Sequence, residues 1–215
     1  MRCVSQALAS NVHHRILTLA RTMRAIFSGG LGAFRGRQYD PGADSPNPRY
    51  TVPKALAGWF RIVEVDDVER YAGALFRRCF RNPPPDAPRH FVALVDADGE
   101  ERTIGYIHYA KLGDVYLGGG MCIDERVFRR LPTERREHLK EAGGIAEQML
   151  RCTTASLGNA KAIFGYVGDK RAERVDLRAG FEHTGTQHLI VFWPRPLPVD
   201  EQRAIVARVA RVGPF

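Results

Sequence analysis

Residues 141–146 of this 215-residue chain read Glu-Ala-Gly-Gly-Ile-Ala, and their types and spacing suit the binding of a phosphate group. Glycine lets backbone come close to a ligand, and the first turn of a following helix leaves N–H groups unpaired at the positive end of its dipole. An anion can rest on Gly143, Gly144, Ile145 and Ala146 with no charged side chain beneath it. The competing reading is a tight loop or a close packing contact, which glycine pairs at helix starts also serve. Other reactive residue types lie around this point. Asp124, just past an apolar run, can act as a base or can cap the short helix after it. Cys122 offers a nucleophilic thiol, although nothing near it in sequence would activate it, and small buried cysteines are common in cores. His108, on one strand face with Tyr106 and Ala110, can accept a proton or can be an ordinary surface or core histidine. His183 and His188 fall on the last predicted strand on opposite faces, so at most one of them looks into a given cleft.

The elements that must position these residues follow from hydrophobic period and turn chemistry. Trp59 to Val65 alternates as a strand, and Asp66 or Asp67 can cap the next helix, which shows Val68, Tyr71, Ala72, Leu75, Phe76 and Cys79 at helical spacing. Pro83-Pro84-Pro85 stops it. His90 to Asp96, an Asp98-Gly99 turn and Arg102 to Lys111 form a hairpin signal, and Gly113-Asp114 leads into a further strand from Val115 to Ile123. A short helix carries Val127, Phe128 and Leu131, a polar run follows, and Ile145, Met149 and Leu150 mark a long helix that ends near Gly158-Asn159. Ala162 to Val167 reads as a buried strand, Asp169 caps a short helix to Ala179, Gly180 closes it in the left-handed region, and Phe181 opens one long last strand to Trp193. Asp200 to Val212 makes a final helix. The order predicts a mixed α/β (α+β) sheet around one core.

Composition narrows the function classes. The formal net charge of +8 resembles that of a nucleic-acid binder, yet residues 1–50 hold seven arginines, no lysine and two aspartates, a net of +5 that leaves +3 for the rest. The basic character therefore belongs mainly to an N-terminal arm, whose stripe of Ile16, Leu19, Ala20, Met23 and Phe27 is amphipathic. That arm suits an Arg-rich targeting peptide, a helix lying on nucleic acid or membrane, or an ordinary packed or tethered helix. Arg15, Arg21 and Arg24 interrupt the one candidate apolar span. Four cysteines at 3, 79, 122 and 152 form no Cys-x-x-Cys pair, so zinc or a disulfide framework is not expected, and reduced thiols in a cytoplasmic setting are. The division expected is 1–52 for the arm and linker, 53–198 for the main domain and 199–215 for a C-terminal helix.

Over roughly residues 59–193 the element order and three motifs resemble the GNAT acyltransferase superfamily. Glu141-x-x-Gly144-x-Ala146 is similar to the family's pyrophosphate loop, Gln/Arg-x-x-Gly-x-Gly/Ala. Asp169-x-x-Ala172, Val175-Asp176 and Gly180-Phe181 keep the spacing of its Asn-x-x-Ala, Leu-Tyr and Gly-Phe pattern. The resemblance implies a GNAT-like acyl-CoA N-acyltransferase fold with helical additions at both ends. It implies acetyl-CoA or another acyl-CoA as co-substrate, no metal, and an amine of a small molecule or protein as acceptor. The backbone of Met121, Cys122 and Ile123 would hold the pantetheine arm and thioester, and Gly143 to Ala146, with Asp169, the phosphate end. His108 and Asp124 become candidate bases.

Three departures from the family pattern bear on chemistry. Glu141 places a negative charge where the family has Gln or Arg, unless it points away or caps its helix, and Lys140 is the nearest replacement cation. Asp176 stands where many members have a tyrosine that protonates the leaving thiolate, and a carboxylate of ordinary pKa is ionised at neutral pH. The segment from Asp124 to Lys140 is longer than the usual short turn, as for a lid or a partner surface. Two functions therefore stand side by side: a CoA-dependent N-acyltransferase, and a catalytically inactive GNAT-like domain kept for binding or regulation. A homodimer fits either.

Overall fold

The computed structural model describes residues 50–97 and 99–215. The basic helix and linker expected before Tyr50, and Asp98 of the hairpin turn, lie outside the described residues. The centre is an eight-stranded mixed sheet. Its strands are β1 (Phe60–Glu64), β2 (Arg89–Ala97), β3 (Glu100–Leu112), β4 (Val115–Gly118), β5 (Cys122–Ile123), β6 (Ala162–Tyr166), β7 (Glu182–His183) and β8 (Leu189–Phe192). They lie in the order β1-β2-β3-β4-β6-β8-β7, with β5 also on β3. The β4–β6 pair is parallel and the other pairs are antiparallel. The helices are α1 (Ala74–Phe80), entered through a wide turn over Glu69–Gly73, α2 (Glu125–Arg130), α3 (Thr133–Glu141), α4 (Ile145–Ser156), α5 (Lys170–Arg178) and α6 (Val199–Ala210).

The period-two alternation of β2 decides which helix covers which face. Phe91, Ala93 and Val95 join Met149, Leu150 and Cys152 of α4 in one core, while Val92 and Leu94 turn the other way to Ala72, Leu75 and Phe76 beside α1. Farther along that second face, Leu117, Phe164 and Val191 pack under Ile205 and Val209 of α6. Those two α6 residues are 5% and 0% exposed, and burying each contributes about 1.5–3 kcal/mol. The C-terminal helix expected over 199–215 spans Val199–Ala210 and packs on this face of the sheet. At the other end, Tyr50 and Val52 also pack on the main cluster.

Local differences from the sequence reading have identifiable causes. Asp67, rather than Asp66, receives the Arg70 N–H at 3.0 Å. The polar run after α2 is itself a helix, α3, anchored by the fully buried Leu139. The single strand expected from Phe181 to Trp193 is a hairpin in which His183 pairs with Ile190. The Thr184 hydroxyl bonds the Leu189 carbonyl at 2.8 Å and Gly185 takes φ 82°, which turns the chain between β7 and β8. Gly180 closes α5 at φ 102° as expected.

Candidate functional site

The predicted strand from Val115 to Ile123 is divided, and the division opens the site. Gly118 faces Tyr109 and Cys122 faces Tyr106, so four steps on this strand match three on β3. The surplus residue makes a bulge at 119–121 that bends the strand. Two glycines permit it: a Cβ at Gly119 would overlap the His108 ring, and one at Gly120 would lie 2.6 Å from the Phe80 ring. On the far edge the β4–β6 ladder stops at Gly118 opposite Gly165, after which Tyr166 pairs only with Leu189 of β8. Strands β5 and β6 therefore part, and the backbone edge of 119–123 faces open space.

A cavity of about 550 Å³ fills that gap and is lined from both sides of the sheet. On the α4 side its wall includes Lys140, Gly143, Gly144, Ile145, Ala146, Arg171 and Asp176, and on the α1 side Phe80, His108, Tyr166 and Phe215. Met121, Cys122 and Ile123 run along the gap between them. The glycine pair and the splayed strand, far apart in sequence, thus border one space.

The glycine turn ahead of α4 differs from the expected anion cradle in which amides are open. The amide of Gly143 donates to Lys140 O at 2.9 Å and that of Gly144 to Leu139 O at 2.7 Å, closing the C-terminus of α3. These two amides are therefore not the phosphate donors. Both glycines sit near φ +90°, a conformation side chains rarely adopt, and this sharp turn starts α4 directly after α3. Gly144 caps α4 without a side-chain bond, so the first-turn N–H groups of Ile145, Ala146 and Glu147 have no acceptor within the helix. A Cβ at Gly144 would touch nothing within 4 Å, so open space lies ahead of it. Glu141 is exposed and is not part of the cavity wall, whereas Lys140 is. Lys140 also pairs with Glu137 at 2.7 Å.

Asp176 changes character in its surroundings. Burial, and then the negative charge of Glu173, pushes its carboxyl up to about 7, so near neutral pH a large fraction is protonated and able to donate. The expectation of an ordinary carboxylate is corrected here: desolvation penalises the charged form. Tyr109, on the buried side of β3, bonds Thr153 of α4 at 2.6 Å.

The remaining candidates fall into place as follows. His108 lines the cavity, with its ring 6.0 Å from that of Phe76, and is paired across strands with His90. His90 is buried, bonds the Tyr106 hydroxyl at 2.9 Å, and burial lowers its pKa, which favours the neutral ring. Asp124 is a helix cap: its Oδ1 accepts from Arg126 N at 3.0 Å and its Oδ2 pairs with Arg78 of α1. It is not on the cavity wall, and neither is Asp169. Asp169 accepts from Arg171 N at 2.8 Å and Ala172 N at 3.0 Å, and these backbone bonds hold its pKa below the usual carboxylate range. His183 and His188 border a separate shallow hollow beside Asp169. Two groups escaped the sequence reading. Arg171, inside the Asp169-x-x-Ala172 motif, adds a second cation to the α4 side. Glu147 in the first turn of α4 binds Arg151 at 2.9 Å and Arg178 at 2.8 Å. Burial alone would raise its pKa, but the bonds from Arg178 and Arg151 outweigh this and lower it. Only the i, i+4 spacing of Glu147 and Arg151 was visible beforehand.

No protein-family model matches the chain, and no curated protein matches it in sequence. Among solved structures it is similar to the ribosomal-protein-S18-alanine N-acetyltransferase from Escherichia coli, at 10% identity and TM-score 0.43 over 66% of this chain and 97% of that one. It is also similar to a GNAT family acetyltransferase from Brucella melitensis in complex with acetyl-CoA, at 15% identity and TM-score 0.41 over 65% of this chain and 91% of that one. Identities this low bear on fold alone, and TM-scores below 0.5 leave the functional reading to the geometry of the site.

Proposed function

We propose that the chain is a CoA-dependent N-acyltransferase that moves an acetyl group from acetyl-CoA to an amine of a small molecule or protein. One observation carries this reading: a gap between parted strands joins, in a single cavity, the amide-bearing start of α4 to an aromatic chamber on the opposite face of the sheet. The residues fit such a co-substrate. Ile145, Ala146 and Glu147 offer backbone donors, and Lys140 and Arg171 supply positive charge for a diphosphate. The unpaired edge of Met121, Cys122 and Ile123 can add hydrogen bonds to an extended amide-bearing arm, as a strand would.

When bound, an acyl thioester supplies a carbonyl carbon open to attack by nitrogen and a thiolate leaving group, so ammonium and thioester become amide, thiol and one released proton. His108 takes a proton from the ammonium, for which its place on the α1 side of the cavity suits it, and passes it to solvent, and the second proton leaves the nitrogen for solvent as the amide forms. Asp176, on the other side, gives its proton toward the departing sulfur and regains one from solvent, which its raised pKa allows. Backbone donors along the bulge support the negative charge that develops on the carbonyl oxygen.

The test has two parts. Acetyl-CoA should raise the melting temperature of the full chain, and thiol release should follow when a mixture of amines is added. Stabilisation without thiol release from polyamines, amino acids, arylalkylamines or basic peptides would favour the inactive, binding domain instead. Absence of stabilisation at millimolar acetyl-CoA would reject both.

A further inference from the structure

The two chambers of the cavity differ in chemistry, and the difference selects an acceptor class. Resting on the transferase reading above, we propose that the acceptor is a monoamine with an aromatic body and no carboxylate or phosphate near its nitrogen. The α1-side chamber is walled by Phe76 and Phe80 from one flank and by Tyr166 and Phe215 from the other. Phe76 and Phe80 lie 4.6 Å apart between ring centroids, and Tyr166 and Phe215 6.0 Å apart. The two flanks belong to β3–β5 with α1 and to β6 with the last residues, so both offer aromatic surface to a flat group in the cavity. His108 lies at the inner end against Gly119, next to the bulge.

Charge is distributed in the same sense. The cations of the cavity wall, Lys140 and Arg171, both stand on the α4 side, while Asp86, in the loop after α1, and Glu125, at the start of α2, are carboxylates of the same wall. An ammonium entering there finds a carboxylate and ring faces, both attractive to a cation. A carboxylate beside the amine, as in an amino acid, meets Asp86 and no Lys or Arg of that chamber among the described residues, so its desolvation is opposed rather than compensated. A polyamine supplies the charge but no surface to match the rings.

The clean comparison is 2-phenylethylamine against phenylalanine, which differ by the carboxylate, with spermine as a third substrate, all with the full chain. Thiol release from acetyl-CoA should favour 2-phenylethylamine over phenylalanine in kcat/KM by about 100-fold or more. Calorimetric titration of the same amines into the CoA-saturated protein, which needs no turnover, should give the same order. Asp86→Asn and Phe80→Leu should each weaken the binding of 2-phenylethylamine by about tenfold while leaving stabilisation by acetyl-CoA intact. Equal or better use of phenylalanine or spermine would overturn this acceptor class and leave the transferase reading standing. Preferential binding of 2-phenylethylamine without any thiol release would keep the chamber assignment and end the transferase reading.

Discussion

Helices α4 and α5 both begin beside the splayed strands, yet their N-termini are finished in opposite ways. At α5 the Asp169 carboxylate accepts the amides of Arg171 and Ala172, so the end is closed by its own chain. At α4 the cap is Gly144, which has no side chain to offer, and the first-turn amides face the cavity. The dipole is the same at both ends; whether an external anion is needed depends on the cap. In the proposed transferase, α4 is the helix end left open for the diphosphate. In the same proposal α5 acts through a residue two turns in, Asp176, whose carboxyl is pushed up to about 7 by burial.

Substitutions can break this comparison in order of expected effect. Gly144→Glu places a carboxylate over the open amides and should remove stabilisation by acetyl-CoA, a loss of about 2.7 kcal/mol at a ligand concentration 100 times Kd. Gly144→Ala serves as its control, since it carries the backbone strain of about 1–3 kcal/mol without the charge, and it should keep part of the ligand-induced shift in a thermal melt. Asp176→Asn should lower the rate of thiol release by about 100-fold with little change in acetyl-CoA affinity.

The same substitution has a signature in stability. Because the folded-state pKa of Asp176 is raised from 3.8 to about 7, its contribution to stability is fully present below pH 3.8 and is lost as pH rises through about 7. At 1.36 kcal/mol per pH unit the full shift corresponds to at most about 4 kcal/mol. Urea unfolding of the wild type should therefore show stability declining over that window, and Asp176→Asn should flatten the decline. The smallest effect is expected at Asp169→Ala: the lost cap costs about 1 kcal/mol, while acetyl-CoA binding, followed by calorimetry, stays nearly unchanged because the Asp169 carboxylate is not on the cavity wall.

Much of this arrangement was legible in the chain. The meander, the long α4 and the Asp169 cap come from local period and turn chemistry, which act within a few residues. What escaped the reading has tertiary causes. Helix α3 carries too few apolar residues to show a period, since it is held mainly by Leu139. Missing that helix led in turn to giving Gly143 and Gly144 the role of anion donors, when their amides terminate it. The β7–β8 hairpin escaped because its turn carries a single glycine, Gly185, while His188 also takes a left-handed φ of 65° that its position alone does not announce. The pKa of Asp176 depends on neighbours brought in by folding, and no spacing rule reports it.

The most direct test of the central claim is an amide-resolved NMR titration with acetyl-CoA. The backbone N–H signals of Ile145, Ala146 and Glu147 should move most, clearly more than those of Arg171 and Ala172, whose amides are already bonded to Asp169. Perturbation confined to α5, or no response at the start of α4 while ligand binds elsewhere, would contradict it.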